Sequence, residues 1–109
     1  MKNLIEVLYF DSCPSWRKAV ENLEGALEAE GLSAEVELIR VETEAEAQAQ
    51  QFLGSPSFRL DGRDLWPENR TEFALDCRVY ATPQGLKGWP TVEMLRERLR
   101  LTLQPITNH

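Results

Sequence analysis

The stretch Leu4-Ile5-Glu6-Val7-Leu8-Tyr9-Phe10-Asp11-Ser12-Cys13-Pro14-Ser15-Trp16 decides how this chain is read. Leu4–Phe10 is apolar, rich in strand formers and interrupted by a single charge, Glu6, which is the pattern of a central strand buried on both faces. Pro14 then suits the first position of a helix, where its missing N–H leaves nothing unsatisfied. Cys13 falls between the two, at the end of a strand and the start of a helix. A sulfur there meets unpaired backbone N–H groups and the positive end of the helix dipole, and both favour the nucleophilic thiolate. A small buried core residue is the competing reading of Cys13. Asp11 works against a thiolate by its charge, and Ser12 reads as a helix cap.

Outward from this junction the elements follow one another without a linker or repeat. Trp16, Ala19, Val20, Leu23, Ala26 and Leu27 recur at three- and four-residue steps, so a helix runs from Pro14 to about Glu30 and Gly31 closes it. Ala34–Val41 alternates: Val36 and Leu38 point one way, Glu35 and Glu37 the other, which suits a strand at a sheet edge. Thr43-Glu44-Ala45-Glu46 has the form of a capping box and opens a second helix reaching to about Leu53. Gly54-Ser55-Pro56 breaks the chain, Ser57–Leu60 is a short strand, and Asp61-Gly62 is a turn signal. Residues 63–76 read as a long polar loop, with a helical turn near Thr71–Leu75. Cys77–Ala81 reads as the fourth strand, Thr82–Trp89 as a loop, and Pro90 opens a last helix with Val92, Leu95 and Leu99 on its core stripe and Arg96, Arg98 and Arg100 on its solvent side. The expected fold is α/β: one domain over residues 1–109, β-α-β-α-β-β-α, a four-stranded mixed sheet with helices on both faces.

Composition removes several classes of function. The net charge of −6 leaves no basic stripe for a phosphate backbone, so nucleic acid is not an expected partner. No apolar run approaches the roughly 20 residues of a membrane span. No basic segment followed by an apolar signal region precedes the first strand, so the expected location is cytoplasmic, without membrane association. Two cysteines make neither a disulfide framework nor a zinc site of the usual spacing. The single histidine, His109, stands at the end of the chain, which excludes a His-based metal site and a Ser-His-Asp triad. No glycine-rich phosphate loop is present, and no cofactor is expected. The acidic runs Glu21–Glu30 and Glu42–Glu46 read as solvated helix faces.

The element order, the cysteine at the first strand–helix junction and the proline opening the third strand resemble the thioredoxin-like superfamily over nearly the whole chain. Two motifs carry the resemblance: Cys13-Pro14-Ser15-Trp16, at the position of the family's CxxC, and Gly54-Ser55-Pro56-Ser57-Phe58, followed by Leu60-Asp61-Gly62. The chain looks like a small group of thioredoxin-like proteins with Cys-Pro-x-Trp in place of CxxC. The resemblance implies that Pro56 is cis and packs against Cys13, and that the backbone of Ser55 pairs with an extended substrate. Trp16 occupies the slot of the resolving cysteine, so exchange between two cysteines within one helical turn is impossible.

Cys77 is the other candidate partner. A fourth strand beginning at Cys77 puts it at the far end of the sheet, and four residues at ~3.3 Å each place it roughly 13 Å from the reactive end. A disulfide needs Cα atoms within about 7 Å. Cys77 therefore reads as a buried strand residue, unless residues 63–76 fold back. Trp16 and Trp89 flank a groove for an apolar or peptidic ligand, or else pack into the core, and Trp66 reads as loop packing. The expected function is thiol–disulfide or mixed-disulfide chemistry by a single nucleophile, Cys13, of the monothiol oxidoreductase type. Pro14, Trp16, Ser55, Pro56 and Trp89 would bind the substrate, and an external protein or small-molecule thiol would resolve the intermediate. The alternative is a non-catalytic binding module that keeps the fold and has lost the chemistry. Weaker is a thiol-dependent protein acting on a soft electrophile or metal.

Overall fold

A computed structural model of the chain describes residues 2–103. Its elements are β1 (Asn3–Tyr9), α1 (Trp16–Glu30), β2 (Ala34–Arg40), α2 (Glu44–Gln50), β3 (Ser57–Leu60), β4 (Arg63–Asp64), β5 (Tyr80–Thr82), β6 (Gly85–Lys87) and α3 (Val92–Leu103). The main sheet has four strands in the order β2-β1-β3-β4, with β1 parallel to β2 and antiparallel to β3. It is an α/β fold with a mixed sheet, as expected. His109 lies outside the described residues.

Alternation along β1 builds two cores. Ile5 and Val7 face one way and pack with Ala19, Leu23 and Ala26 of α1, Leu95 and Leu99 of α3, and Phe58 and Leu60 of β3. Leu8 leaves the opposite face and packs with Val41, Ala47 of α2 and Phe52. Helices therefore cover both faces, α1 and α3 on one and α2 on the other, and β1 is buried between them.

The helix limits differ from expectation at three ends, one of them the start of α3, which begins at Val92 after a cap by the Thr91 hydroxyl and not at Pro90. The N-cap of α1 is Ser15, which makes no side-chain cap bond, so Pro14 stands in the turn before the helix and not at its first position. Gly31 closes α1 as expected. It takes a left-handed φ of 64°, and Leu32 N–H reaches back to Leu27 O at 2.9 Å. In α2, the Thr43 hydroxyl accepts the Glu46 N–H at 3.0 Å, which completes the expected cap. The helix stops three residues short of Leu53, because Gln51 turns left-handed at φ 52°.

The fourth strand is where the sequence reading fails. Asp61 and Gly62 both have positive φ (50° and 88°), and they close a two-residue hairpin that pairs Leu60 with Arg63 at once. The strand beside β3 is therefore the two-residue β4, and not Cys77–Ala81. Tyr80–Thr82 pairs instead, in a separate two-stranded sheet, with Gly85–Lys87, which reads as loop from the sequence. Residues 65–76 carry no helical turn.

None of the three arginines of α3 is simply solvated: Arg98 lies over the Trp66 ring, 5.5 Å from its centroid. Arg96 donates to Glu30 Oε2 at 2.8 Å and Arg100 to both Glu30 oxygens at 2.9 Å, and together they clamp the end of α1 to α3. These bonds, from Arg100 first and then Arg96, hold the Glu30 carboxyl down at about 2, against an ordinary value of 4.5. A depressed folded-state value means the clamp stabilises the fold above the unfolded value and is lost as the pH falls from about 4.5 toward about 2. Thermal unfolding followed by circular dichroism should show Glu30→Gln melting a few degrees lower than the parent at neutral pH. The two melting curves should converge as the pH approaches about 2. A difference that persists unchanged at that pH would assign the loss to packing instead.

Candidate functional site: two thiols at the Ser55 carbonyl

Cys13 sits where β1 ends, held by a turn in which its N–H donates to Phe10 O at 3.1 Å. Its side chain is buried, at 1% exposure, and not presented to solvent as the sequence suggested. The reason is the missing helix start. Cys13 lies two residues before the N-cap, Ser15, and the sulfur points to the loop before β3, where it donates to Ser55 O at 3.5 Å. No backbone N–H donates to the sulfur among the hydrogen bonds of the described residues.

Ser55 is the hub of the site. It is fully buried, and it is joined to Pro56 by a cis peptide bond, as the resemblance implies. Its hydroxyl accepts the Phe10 N–H at 3.2 Å. Its own N–H donates to Asp76 O at 2.8 Å, and its carbonyl accepts the Arg78 N–H at 2.9 Å. These last two bonds form a parallel bridge between Ser55 and Cys77. Residues 76–78 therefore occupy both backbone groups of Ser55, and the pairing with an extended substrate that the resemblance implies is already satisfied within the chain.

The same bridge corrects the placement of Cys77. The chain does fold back, and Cys77 lies beside Cys13 and not at the far end of the sheet. The Cys77 thiol is pushed up from its ordinary value, by partial burial first and then by the neighbouring Cys13 thiol. As a residue Cys77 is exposed, while Cys13 is buried. Both cysteines are free thiols.

Arg78 and Gly54 explain why the fold-back holds. The Arg78 side chain is 5% exposed and bonds Asp64 at 3.1 Å, Glu68 at 3.1 Å, the Ser57 hydroxyl at 3.3 Å and the Trp66 carbonyl. Burial pushes the Asp64 carboxyl up, and the Arg78 guanidinium works against that shift. Gly54 has φ 111°, and a Cβ there would lie 2.9 Å from the Cβ of Arg78. Only glycine lets the two segments approach so closely. Tyr80 adds a further tie through its hydroxyl, which donates to Pro56 O. Neither Arg78 nor Tyr80 stands out in the sequence for function. The signal available was Gly54, immediately before Ser55-Pro56.

The remaining predicted site residues divide. Pro14 is exposed at the turn. Trp16 is half-buried and stacks on Tyr9, with ring centroids 4.3 Å apart, outside both core clusters. Trp89 packs against the main core. A cleft of about 670 Å³ opens elsewhere, between Arg78–Ala81 and α3, and neither tryptophan lines it. Trp66 is not loop filler, since it packs on Tyr80 with centroids 5.0 Å apart. Asp11 is paired with Arg40 at 2.8 Å, and Ser12 is exposed and caps nothing.

Among the described residues, no three His, Cys, Asp or Glu side chains gather to hold a metal ion, and no helix is long and apolar enough to cross a membrane. Chemically, the site offers two adjacent thiols, one covered and one open, held by a backbone bridge at a proline loop. Compared with known proteins, the chain matches no family model and no curated sequence.

Proposed function

We propose that this chain is a thioredoxin-like thiol–disulfide redox protein whose working pair is Cys13 and Cys77. The observation that carries the reading is that both cysteines meet Ser55: the Cys13 thiol donates to its carbonyl at 3.5 Å, and Cys77 is bridged to it through the backbone. Cys13 alone would need an external thiol to complete exchange. With Cys77 beside it, the second sulfur is supplied from within the chain, in place of the cysteine that Trp16 displaces. Element order, the cis Ser55–Pro56 bond and the position of Cys13 at the end of β1 support the family resemblance.

Equilibration in glutathione buffers of graded redox potential, followed by alkylation and intact-mass measurement, tests this function. The two thiols should disappear together in one transition, and Cys13→Ser or Cys77→Ser should abolish it. Two thiols that remain alkylatable in the most oxidising buffer would defeat the redox reading.

The burial of Cys13 and the lack of an N–H donor to its sulfur favour a second reading, a binding module in which Cys13 is a packed residue. That reading requires Cys13→Ser to keep ligand binding and cellular role intact.

A further inference from the structure

We infer that Cys77 is the thiol that meets the substrate disulfide and that Cys13 resolves the product, so the order of attack is the reverse of what position along the chain suggests. The inference rests on the redox reading above and assigns the roles within it. Attack on a disulfide needs an open approach to sulfur along the S–S axis. Cys13, at 1% exposure and bonded to the Ser55 carbonyl, offers none. Cys77 is exposed on the outer side of the same bridge.

The chemistry closes on these two sulfurs. The Cys77 thiolate attacks one sulfur of a disulfide RSSR, a Cys77–S–S–R bond forms, and RS⁻ leaves and takes up the proton that Cys77 released. The Cys13 thiol then gives up its proton and attacks the Cys77 sulfur. The internal disulfide forms, and the second RS⁻ departs with that proton. The protein is oxidised by two electrons and RSSR is reduced to two RSH. Excess low-molecular-weight thiol reverses both steps.

The substrate class follows from Ser55. Its N–H and carbonyl are both engaged by Asp76 and Arg78, so an extended peptide has no backbone groups to pair with there. The site suits a small disulfide that reaches Cys77 from solvent.

Glutathione disulfide with the full-length chain is the test, with adducts mapped by peptide mass. Cys13→Ser should stop at a stable mixed disulfide on Cys77. The parent should pass through that adduct to the internal disulfide, and a sample quenched early should carry glutathione on Cys77. Cys77→Ser should be modified at least roughly tenfold more slowly, because its remaining thiol is covered. The rate of Cys77 modification should still climb with pH where an exposed free cysteine has levelled off, as the upward shift of its thiol requires. First adducts on Cys13, with the internal disulfide forming normally, would overturn this assignment and leave the redox function standing. A mixed disulfide on Cys77 that persists in the parent would show that Cys13 does not resolve it, and both the assignment and the redox pair would fall. The early-quench mapping uses the unaltered chain, so it decides the order of attack even if a variant misfolds.

Discussion

Arg78→Met should destabilise the chain by about 3–5 kcal/mol, as is usual when one member of a buried ion pair is removed. The cause is the partner left behind. Asp64 is 10% exposed at its side chain, and in the variant it keeps its burial without its cation. Burial already pushes this carboxyl up, and without Arg78 it goes further. A carboxyl with a raised folded-state value stabilises the fold most when protonated, below its unfolded value, and that contribution is lost as the pH rises through the folded value. The deficit of Arg78→Met should therefore be smallest in acid and grow toward neutrality. Urea unfolding across pH measures it. Adding Asp64→Asn should restore a large part of the loss, since the stranded charge is then gone. A deficit below about 1 kcal/mol would place the pair with ordinary surface ion pairs. Because Arg78 directly follows Cys77, the same variant should also slow formation of the internal disulfide.

Gly54→Ala should both destabilise the chain and uncouple its thiols. The backbone at φ 111° is a conformation that alanine adopts only under strain, at a cost of about 1–3 kcal/mol. The new Cβ would also sit 2.9 Å from the Cβ of Arg78 and 3.1 Å from its backbone nitrogen, so the bridge itself must move. Intramolecular exchange depends steeply on how the two sulfurs are held, and the rate of internal disulfide formation should fall by roughly tenfold or more. Gly31→Ala is the control. Gly31 also has a left-handed φ, of 64°, but nothing lies within 4 Å of a Cβ placed there. It should lose stability by about 1–2 kcal/mol from backbone strain alone and leave disulfide formation unchanged. Equal effects of the two substitutions on the exchange rate, read by quenched alkylation, would dissociate the Gly54–Arg78 approach from the chemistry.

Much of the framework is written in local pattern. The unbroken apolar run of β1 required cover on both faces, and both core clusters meet on it. The three- and four-residue spacing of Ala19, Leu23, Ala26 and Leu27 required a helix with one buried face, and those four residues are the buried ones of α1. Gly31 and Thr43 marked ends that their backbone and hydroxyl chemistry determine on their own. The end of β3 was legible too, in Asp61-Gly62. Its consequence was missed because the strand that follows is two residues long, too short to show an alternation.

What the chain's own residue order determined is the class of fold and the sheet's central strand, and the meeting of Cys13 with the Ser55-Pro56 loop was expected only from the resemblance. The tertiary structure alone decided which sulfur is open and which is covered, and that Cys77 joins the site. The physical reason is that helices and hairpins are specified by neighbours a few residues apart, whereas Cys77 is carried to Cys13 by bonds that span long stretches of chain. An arginine buried against Asp64, a glycine that lets two backbones touch, and a serine whose N–H and carbonyl are both taken by residues 76–78 leave no periodic trace in sequence.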